Sequence, residues 1–596
     1  MKESNYLILF TLGPVQSFIA QARKTQDLYA GSKLLSDLIK SAINKVGEDH
    51  LIFPALGDAM PNRFLAYVPG DIINFQKYGE DIERTVRQQW QQIADDTLWK
   101  ITKNKPDGFN EQINSHLEIF WVIEEIQESY AYTVTNMEKQ LAAVKNIRPF
   151  GQFNYAGITG EKGRKCSLDG QRNVLFFGNQ TNSAYTSTRW NPSAHILEKQ
   201  STVLIGVNEG LSAVSFVKRF WLENSFPSTA EIALKYDEDR LNLDSQYKIC
   251  LSEYKEKVFN SNEFISHCLS TSDKFHFGKN DSLNQFFDYQ LLFKENVTEK
   301  TFPFQPQLDL ATDYVKKLQP FLKQKYYAIL TFDGDDMGKW LAGQWLVEGK
   351  DLEVFHKKFA VQLTAFAKEA KKEVDIVGRT VYAGGDDFLG FVNLYQLLPV
   401  LKRLRRLFRE MVNDPLSGFR DEREITFTAG ICIAHYKEPL SLVLDNAGST
   451  QKEAKKLDDK NAFGITVIKG SGESHTAVVP FGIKEEYVDL MDDLIKQIII
   501  GNFSNTFLKS IQLEFERVEV RGQKITFDNM FRSELIRLLR RSATNKWDKE
   551  TKKAESIAMS QRLMKLKHGT PLDFFQLLNI SDFMHRVLDA SILEFK

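Results

Sequence analysis

The chain has 596 residues, of which 42% are hydrophobic and 26% charged, and its formal net charge is −1. A chain of this length exceeds one ordinary core, so we expect roughly three to five domains. The balanced charge argues against a protein that coats nucleic acid through bulk charge, and leaves local basic patches for any such contact.

The cysteines and the apolar runs indicate a cytoplasmic protein. Four irregularly spaced cysteines fit a reducing compartment better than a disulfide framework. The start of the chain has no signal-peptide cleavage pattern, and no apolar run reaches the roughly 18 residues that a membrane helix needs. We therefore expect no membrane contact. The cysteines are Cys166, Cys250, Cys268 and Cys432.

Residues 1–148 predict a first ferredoxin-like unit. "YLILFTL" at 6–12 predicts a strand, and residues 14–46 predict a long helix. Two short strands ("LIFPA" and "RFLAYV"), a helix over 75–104 and the strand "LEIFWVIEEI" follow. Strand, helix, two strands, helix, strand is the ferredoxin-like order.

The middle of the chain is less regular. Residues 149–192 are rich in Gly, Asn, Ser and Arg, so we predict an irregular insertion over 149–225. Residues 226–322 predict a mainly helical linking domain.

Residues 323–475 repeat the order of the first unit. The strand "YYAILTFDG" is followed by a helical stretch to about residue 372 and by the hairpin "RTVYAGGDDFLGFV". A helix, the strand "ITFTAGICIAHY", a helix to about 459 and the strand "AFGITVI" complete the unit. Beyond it, residues 476–596 predict a helical bundle, with an apolar stripe at Leu535, Leu538 and Leu539. The predicted fold class is thus α+β, with two ferredoxin-like domains, an insertion between them and a C-terminal helical bundle.

The two units can be laid over one another. "AMPNRFLAYV" falls on "AGGDDFLGFV" without a gap, which puts Asn62 and Arg63 where the second unit has Asp386 and Asp387. "LFTLG" falls on "LTFDG", which puts Leu12 at the position of Asp333. The overlay is short, and chance remains an alternative. If it is real, one copy has lost its carboxylates.

Acidic residues stand at the end of a strand and in a hairpin turn of the second unit. In a ferredoxin-like sheet the first strand lies beside the hairpin strands, so Asp333 can meet Asp386 and Asp387. Carboxylates at close range need a cation, and hard oxygen ligands select Mg²⁺ or Mn²⁺. Two such ions are the usual clamp for attack of a hydroxyl on a nucleotide α-phosphate. Gly384 and Gly385 would let the backbone approach that nucleotide closely.

Asp335 and Asp336 have two interpretations. They stand where a helix should begin, and Asp is a preferred N-cap residue. The same helix start could receive phosphate oxygens through its N–H groups, which makes Asp335 a candidate nucleotide-binding residue. For the Gly-Gly-Asp-Asp stretch alone, an ordinary hairpin turn is an equal alternative.

The motifs resemble a known palm domain. "AGGDDFLGF" after "TFDGDDMG" is similar to the palm shared by GGDEF-type nucleotide cyclases and the large subunit of type III CRISPR effector complexes. "TFTAGICIA" and "AKKLDDKNAFGI" are similar to later segments of that family. "GPVQSFIAQARKTQDLYAGSKLLS" resembles the start of the first palm in the large subunit of type III-B (Cmr) complexes.

The resemblance implies an antiviral, RNA-guided subunit that works with guide RNA, target RNA and other subunits of the complex. On binding target RNA, such subunits convert ATP into cyclic oligoadenylates or a related AMP-containing conjugate by metal-dependent nucleotidyl transfer. By matching position, Asp333 and Asp386 would be catalytic metal ligands, and Asp387 a ligand or its close support. The carbonyl of Gly334 would add a ligand, and Lys455 would face the triphosphate.

Two departures from the family pattern stand out. Among the ten histidines no His-Asp dipeptide occurs, so we expect no nuclease activity of the histidine-aspartate type. Relatives carry Cys-x-x-Cys pairs between the palms, whereas this chain has "KCSLDG", with Asp169 at the second cysteine position. A tetrahedral zinc site needs four suitable ligands. Zinc at Cys166 is therefore a weaker expectation than an ordinary thiol there.

Two other functions stay open at this point. The palms could serve only as a catalytically silent scaffold of the same complex. A stand-alone diguanylate cyclase would use GTP and need no RNA. Release of pyrophosphate from labelled ATP on addition of target RNA separates these hypotheses.

Overall fold

The computed structural model describes residues 5–147, 154–155, 158–159, 163–178, 195–197, 205, 209–222, 226–241, 244–259, 287–299, 301–519, 527–566 and 571–588. Its two larger sheets have four and six strands, and each contains the strand order of a ferredoxin-like unit. The predicted fold class is confirmed. In these ranges no helix is both long enough and apolar enough to cross a bilayer.

The first palm is an antiparallel sheet with the order β2-β3-β1-β4. Its strands are β1 (Tyr6–Gly13), β2 (Leu51–Phe53), β3 (Arg63–Tyr67) and β4 (Glu118–Glu125). The helices are Gln16–Ala20, Thr25–Val46, Phe75–Ile101, Phe109–Asn114 and Tyr130–Asn146, the last of which the sequence analysis does not predict.

Both faces of the first sheet are covered, because β1 is apolar on both faces. Ile8 and Phe10 pack in the core that the helices Thr25–Val46 and Phe75–Ile101 share. Leu7 and Leu9 point the other way, into a smaller core with the helix Tyr130–Asn146. Side chains of a strand alternate between the two faces, so a run without polar interruption predicts a strand buried on both sides.

The insertion and the linking region contain short strands and helices. The strands are β5 (Asn154–Tyr155), β6 (Ile158–Thr159), β7 (Phe176–Phe177), β8 (His195–Ile196) and β9 (Gly210–Leu211). The helices are Ala213–Phe220, Thr229–Leu241, Ser245–Phe259 and Gln305–Leu318. The last two pack together around Tyr254 and Tyr314, whose ring centroids are 5.8 Å apart. The helical prediction for the linking region agrees with these elements.

The second palm has the order β11-β12-β10-β13-β14-β15. Its strands are β10 (Tyr326–Gly334), β11 (Gly378–Ala383), β12 (Asp387–Asn393), β13 (Phe427–His435), β14 (Ala462–Ile468) and β15 (Ser474–Pro480). The helices are Met337–Leu341, Leu352–Val377, Leu397–Phe408 and Leu440–Ala454, and a π turn at Arg409–Asn413 extends the third. Short 3₁₀ turns in the chain lie at Glu48–His50, Tyr289–Leu292, Lys294–Asn296, Leu394–Gln396, Asp414–Phe419 and Ile483–Glu485.

Strand β15 was not predicted from the sequence. This strand pairs antiparallel with β14 from Ser474 to Pro480, so the sheet continues past the predicted boundary at residue 475. Its buried residues alternate with more exposed ones, and this alternation in "SHTAVVP" was the available signal. The strand is short and begins with polar residues, which hides the pattern.

The C-terminal region is helical, as predicted. Its helices are Glu486–Ile499, Thr506–Glu519, Phe527–Ser542, Lys549–Leu566 and Pro571–Val587. Leu535 and Leu539 are fully buried and Leu538 nearly so, in one continuous core with the second sheet. Phe583 of the last helix lies edge-on to Tyr326 of β10, with ring centroids 5.0 Å apart.

A buried ionic cluster fastens the insertion to the first palm. Arg219 donates to Asp27 at 2.9 Å and to Glu209 at 3.1 Å, and all three side chains are buried. Asp27 also accepts from the amides of Arg23 and Lys24, at 3.1 Å each. These bonds hold residues 23 and 24 outside the helix, which therefore begins at Thr25 and divides the predicted helix over 14–46 in two.

The charge of Asp27 depends on Arg219. Burial by itself raises the pKa of Asp27, but the Arg219 guanidinium outweighs it and holds the pKa below its ordinary value. Because the folded pKa is depressed, the stabilisation is present above the unfolded pKa of about 3.9. It is lost as the pH falls through the lower, folded value.

We predict that Asp27→Ala lowers the free energy of unfolding by about 3–5 kcal/mol, because it leaves Arg219 buried without this partner. Denaturant unfolding at pH 7 measures the effect. The matched control is Asp81→Ala, which removes the surface pair with Arg84 and should cost about 1 kcal/mol or less. Equal losses in the two variants would contradict the interpretation.

Candidate active site at the strand end and hairpin turn

Strand β10 and the β11–β12 turn bring Asp333, Asp386 and Asp387 to one edge of the sheet. Asp333 lies directly opposite Asp387 in the antiparallel register of β10 and β12. The amide of Gly334 donates to the carbonyl of Asp386 at 2.9 Å and fixes the turn against the strand end. Directly opposed residues have Cβ atoms about 4.5–5.5 Å apart. The predicted convergence of the two stretches is confirmed.

The carboxylates repel one another, and the pKa values of two of them reflect it. Burial and the charge of Asp333 raise the pKa of Asp386 to about 6. Asp387 is open to solvent on one side, but desolvation by the surrounding protein and the charges of Asp333 and Asp386 raise its pKa to about 8. A nearby cation would favour the charged forms. The donor set is therefore suited to a cation.

Lys455 supplies positive charge at this edge. Its Nζ forms an ion pair with the carboxylate of Asp333 and lies 3.4 Å from the carbonyl oxygen of Gly334. The residue directly follows the helix Leu440–Ala454. In the described ranges no group of three or more His, Cys, Asp or Glu side chains is arranged to hold a metal ion. A divalent ion would compete with Lys455 for Asp333.

Asp335 anchors the end of β10 to β13. Its side chain is only 5% exposed, and burial raises its pKa. One carboxylate oxygen accepts from the hydroxyl of Thr426 at 2.7 Å and from the amide of Asn461 at 3.1 Å. The other accepts from the hydroxyl of Thr428 at 2.8 Å. Both oxygens are thus used by the protein, which favours a positioning role over the predicted nucleotide contact.

Asp336 occupies the N-cap position of the helix Met337–Leu341 without capping it. Its φ of 52° is left-handed, and its side chain makes no cap hydrogen bond, whereas a capping residue has extended backbone. Its carboxylate pairs with Lys460 at 2.8 Å and Lys339 at 3.1 Å. Burial raises its pKa, but these two lysines bring the pKa below its ordinary value. The prediction that Asp335 and Asp336 are helix caps is wrong.

The backbone conformation favours glycine at position 385, and the nearby Tyr382 side chain favours it at position 384. Gly385 has a φ of +116°, and a Cβ on Gly384 would lie 1.8 Å from the hydroxyl oxygen of Tyr382. Burial and the three nearby carboxylates raise the pKa of Tyr382 well above its ordinary value. A neutral phenol therefore lies beside the acidic cluster. A role of the glycines in nucleotide binding remains a prediction.

Sequence reasoning missed several residues of this site. The hydroxyls of Thr426 and Thr428 were interpreted only as part of a strand, and Tyr382 only as part of the hairpin. Asn461 and Lys460 lie in the segment that carried the family resemblance. The partner of Thr426 and Thr428 is Asp335, more than 90 positions away, so nothing local marked these two residues.

The first palm has the same backbone frame without carboxylates. Thr11 lies opposite Arg63 in the register of β1 and β3, as Asp333 lies opposite Asp387. The counterpart of Asp333 is therefore Thr11. The predicted overlay, which placed Leu12 there, is wrong by one residue.

The hydrogen bonds next to these pairs give the same correspondence. The amide of Leu12 donates to the carbonyl of Asn62 at 2.8 Å, as that of Gly334 does to Asp386 at 2.9 Å. The overlay of the hairpin strands, Asn62 on Asp386, is confirmed. The error arose because matching the glycines of "LFTLG" and "LTFDG" shifted the first strand.

A cleft of about 510 Å³ lies between the two palms and reaches Gly384 of the turn. Its walls come from the helix Thr25–Val46 and residues 56–61 of the first palm, and from the helix Leu352–Val377 and β11 of the second. This volume falls within the usual range for small-molecule sites, about 300–1,000 Å³. Four lysines line it and give it positive charge: Lys33, Lys40, Lys368 and Lys371.

Cys166 is a buried thiol in a tight turn. Its sulfur donates to the hydroxyl of Ser215 at 3.2 Å and accepts from the amide of Leu168 at 3.4 Å. Asp169, at the position of the family's second cysteine, accepts from the amide of Gln171 at 2.8 Å and from the hydroxyl of Ser212 at 2.8 Å. Both side chains thus have protein partners. Cys268 lies outside the described residues.

Two family models match the chain. One, described as the second palm domain of Cas10/Cmr2, covers residues 326–464. The other, described as the N-terminal part of the CRISPR-associated protein Cmr2, covers residues 7–95. The CRISPR system Cmr subunit Cmr2 of Pyrococcus furiosus is 24% identical, over 90% of this chain and 69% of that protein. The predicted resemblance to the large subunit of type III-B complexes is confirmed.

Solved structures agree on the fold. A chain of the type III-B Cmr-beta complex bound to cognate target RNA matches 98% of this chain and 83% of its own length, with a TM-score of 0.66 and 13% identity. A chain of the apo state of Cmr-beta matches with a TM-score of 0.63, also at 13% identity, over 98% of this chain and 82% of its own length. At this identity the likeness concerns the fold alone.

We predict that Asp386→Asn stabilises the protein at pH 7.5 in the presence of a chelator. The folded pKa of about 6 exceeds the unfolded value of about 3.9, so the stability of the parent protein falls as the pH rises between them. The gain in melting temperature should be absent near pH 4 and reach its plateau above about pH 7. Thermal unfolding across this range measures it, with the exposed Asp458→Asn as control. A variant that is less stable than the parent at pH 7.5 would contradict the electrostatic account.

Proposed function

We propose that this chain is the large subunit of an RNA-guided type III-B effector complex, whose second palm transfers adenylate from ATP once target RNA is bound. The observation that carries the proposal is the opposed pair Asp333 and Asp387 with Asp386 beside it. The raised pKa values of Asp386 and Asp387 indicate that the fold keeps these carboxylates together at a cost in free energy. Groups perturbed in this way cluster at functional sites.

The proposed partners are guide RNA, target RNA and the other subunits of the complex. They are supported by the Pyrococcus furiosus relative, which is named as a subunit of the Cmr system. One of the similar solved structures is a Cmr-beta complex with cognate target RNA bound. The net charge of −1 fits a chain that contacts RNA locally and together with partners.

The chemistry of the donor atoms suits Mg²⁺ or Mn²⁺, although the described carboxylates are not already arranged around one ion position. Three carboxylates and the carbonyl of Gly334 are hard oxygen donors, which these ions prefer. Asp333, Gly334, Asp386 and Asp387 would hold them. When bound, such ions neutralise phosphate charge and lower the pKa of an attacking hydroxyl. Asp335 keeps the strand end in place for this role through its bonds to β13 and Asn461.

Lys455 changes partner in this proposal. An ion held at Asp333 would compete with Lys455 for that carboxylate, and Nζ of Lys455 would then be available to pair with the triphosphate of ATP. Lys460 and Lys339, paired with Asp336, add positive charge near the same loop. The cleft between the palms has room for nucleotide groups, including an acceptor that yields a cyclic oligoadenylate or another AMP-containing product.

We predict that Asp333→Ala, and the double variant Asp386→Ala with Asp387→Ala, abolish product formation while the complex still assembles. A loss of about 10³-fold or more is expected when groups that stabilise transition-state charge are removed. Release of pyrophosphate from labelled ATP, with metal and target RNA, measures activity, and gel filtration measures assembly. The matched control is Asp458→Ala at an exposed position.

The outcomes separate the candidate functions. Failure of the variants to assemble would contradict a catalytic role of these carboxylates. An assembled parent complex that releases no pyrophosphate would identify a silent scaffold. Turnover of GTP without RNA would identify a diguanylate cyclase.

We predict that a chelator stops pyrophosphate release and that Mg²⁺ or Mn²⁺ restores it, because the charges of the opposed carboxylates and the triphosphate need neutralising. Binding of Mn²⁺ in the absence of ATP, followed by electron paramagnetic resonance, gives a readout independent of turnover. Lys455→Ala should tighten this binding, since it removes the competitor for Asp333. Unchanged or weaker Mn²⁺ binding in Lys455→Ala would contradict the exchange of partners.

A further inference from the structure

A chain of three polar groups, with the buried His356 at its centre, joins the two palms. The hydroxyl of Tyr130, at the start of the first-palm helix Tyr130–Asn146, lies 2.8 Å from Nδ1 of His356. His356 belongs to the second-palm helix Leu352–Val377 and is 2% exposed. Its Nε2 lies 2.8 Å from the carbonyl oxygen of Leu341. Leu341 ends the short helix that follows Asp336. The first palm is thus connected to the loop after β10.

The direction of these bonds follows from the chemistry of the groups. A carbonyl oxygen can only accept, so Nε2 of His356 carries the proton. Burial lowers the pKa of His356 and favours the neutral ring, which leaves Nδ1 as an acceptor for the hydroxyl of Tyr130. One neutral imidazole therefore satisfies a donor on one palm and an acceptor on the other.

The two bonds of His356 contribute to the position of the palms, alongside the bond from the hydroxyl of Thr364 to the carbonyl of Ala55 at 3.1 Å. A cavity of about 280 Å³ adjoins His356 and is lined by both palms, including Arg63, Glu138, Gly338 and Leu341. Where such a space remains, apolar packing alone does not fix the distance between the elements. The two hydrogen bonds of the His356 ring are directional and so constrain that distance. Burying the polar ring without these bonds would destabilise the folded state.

The segment between Gly334 and Leu341 is fixed at both ends. At one end Asp335 is bound to Thr426 and Thr428. At the other end the carbonyl of Leu341 is bound to His356, while Trp340 is fully buried. Tyr130, His356 and Leu341 therefore form a continuous hydrogen-bonded path from the first palm to the segment that begins at Gly334.

We infer that His356 is a positioning residue, which couples the placement of the first palm to the acidic loop at the end of β10. The inference rests on the proposed nucleotidyl transfer at Asp333, Asp386 and Asp387. His356 does not touch the reacting groups. It acts through Leu341 and the one-turn helix behind the loop.

Three variants in the assembled complex test the inference. His356→Leu removes both bonds, Tyr130→Phe removes one, and His356→Gln keeps a donor and an acceptor. We expect His356→Leu to lower kcat for target-RNA-dependent pyrophosphate release by about 10-fold to 100-fold, the effect of a small misplacement, with little change in KM for ATP. Tyr130→Phe should lose less, and His356→Gln should regain most of the activity.

Hydrogen exchange gives a readout that does not depend on turnover. Amides of residues 336–343 should exchange faster in His356→Leu, and to a smaller extent in Tyr130→Phe, while His356→Gln stays close to the parent protein. The matched control is Tyr132→Phe, a change at an exposed tyrosine of the same helix, which should leave both activity and exchange unchanged.

Each result decides the inference. Parent-like activity and exchange in His356→Leu would overturn it, and so would equal losses in His356→Leu and His356→Gln. If His356→Leu fails to assemble, Tyr130→Phe and His356→Gln decide by the same measurements. A parent complex without activity would refute the proposed function, and the exchange rates would then still test the coupling.

Discussion

The site depends on one constraint, the antiparallel register that sets Asp333 of β10 opposite Asp387 of β12. Like charges directly opposite each other destabilise a sheet, so this register persists only because apolar packing on both sides of the strands holds it. Phe332 and Phe388, the next pair inward, stack with ring centroids 4.8 Å apart. The free energy of the core thus maintains an arrangement of charge that the carboxylates alone would not adopt.

The two palms share the same strand register but carry different side chains at the opposed positions. In the first palm, Thr11 and Arg63 occupy the opposed positions, and Arg63 forms an ion pair with Glu138. Arg63 also acts on Asp386 of the second palm, since its charge offsets a small part of the rise in pKa that burial and Asp333 cause there. The copy without carboxylates therefore contributes a cation to the neighbourhood of the copy that has them.

Local patterns predicted most of the fold, because strands such as β1 and β10 are continuous apolar runs and their turns carry glycine and aspartate. The convergence of Asp333 with Asp386 and Asp387 followed from the ferredoxin-like order alone. The partners of Asp335 did not, because Thr426 and Thr428 are far away in the sequence and threonine is ordinary in a strand. The alignment of β1 with β10 could not be predicted from the sequence either. It was wrong by one residue, which changed the counterpart of Asp333 from Leu12 to Thr11. The prediction that Asp336 caps a helix was wrong because its carboxylate forms ion pairs with two lysines.

The shared core of the second sheet and the C-terminal helices limits how this chain can be divided. Phe332 stacks on Phe427, which meets Phe481 just after β15, and the same core extends to Phe574 and Leu588. A fragment cut at residue 475 would end inside β15 and expose this aromatic surface to water. The smallest piece able to fold by itself with the acidic edge intact therefore includes the helices through Pro571–Val587, so the second palm and its helical neighbour are one cooperative unit.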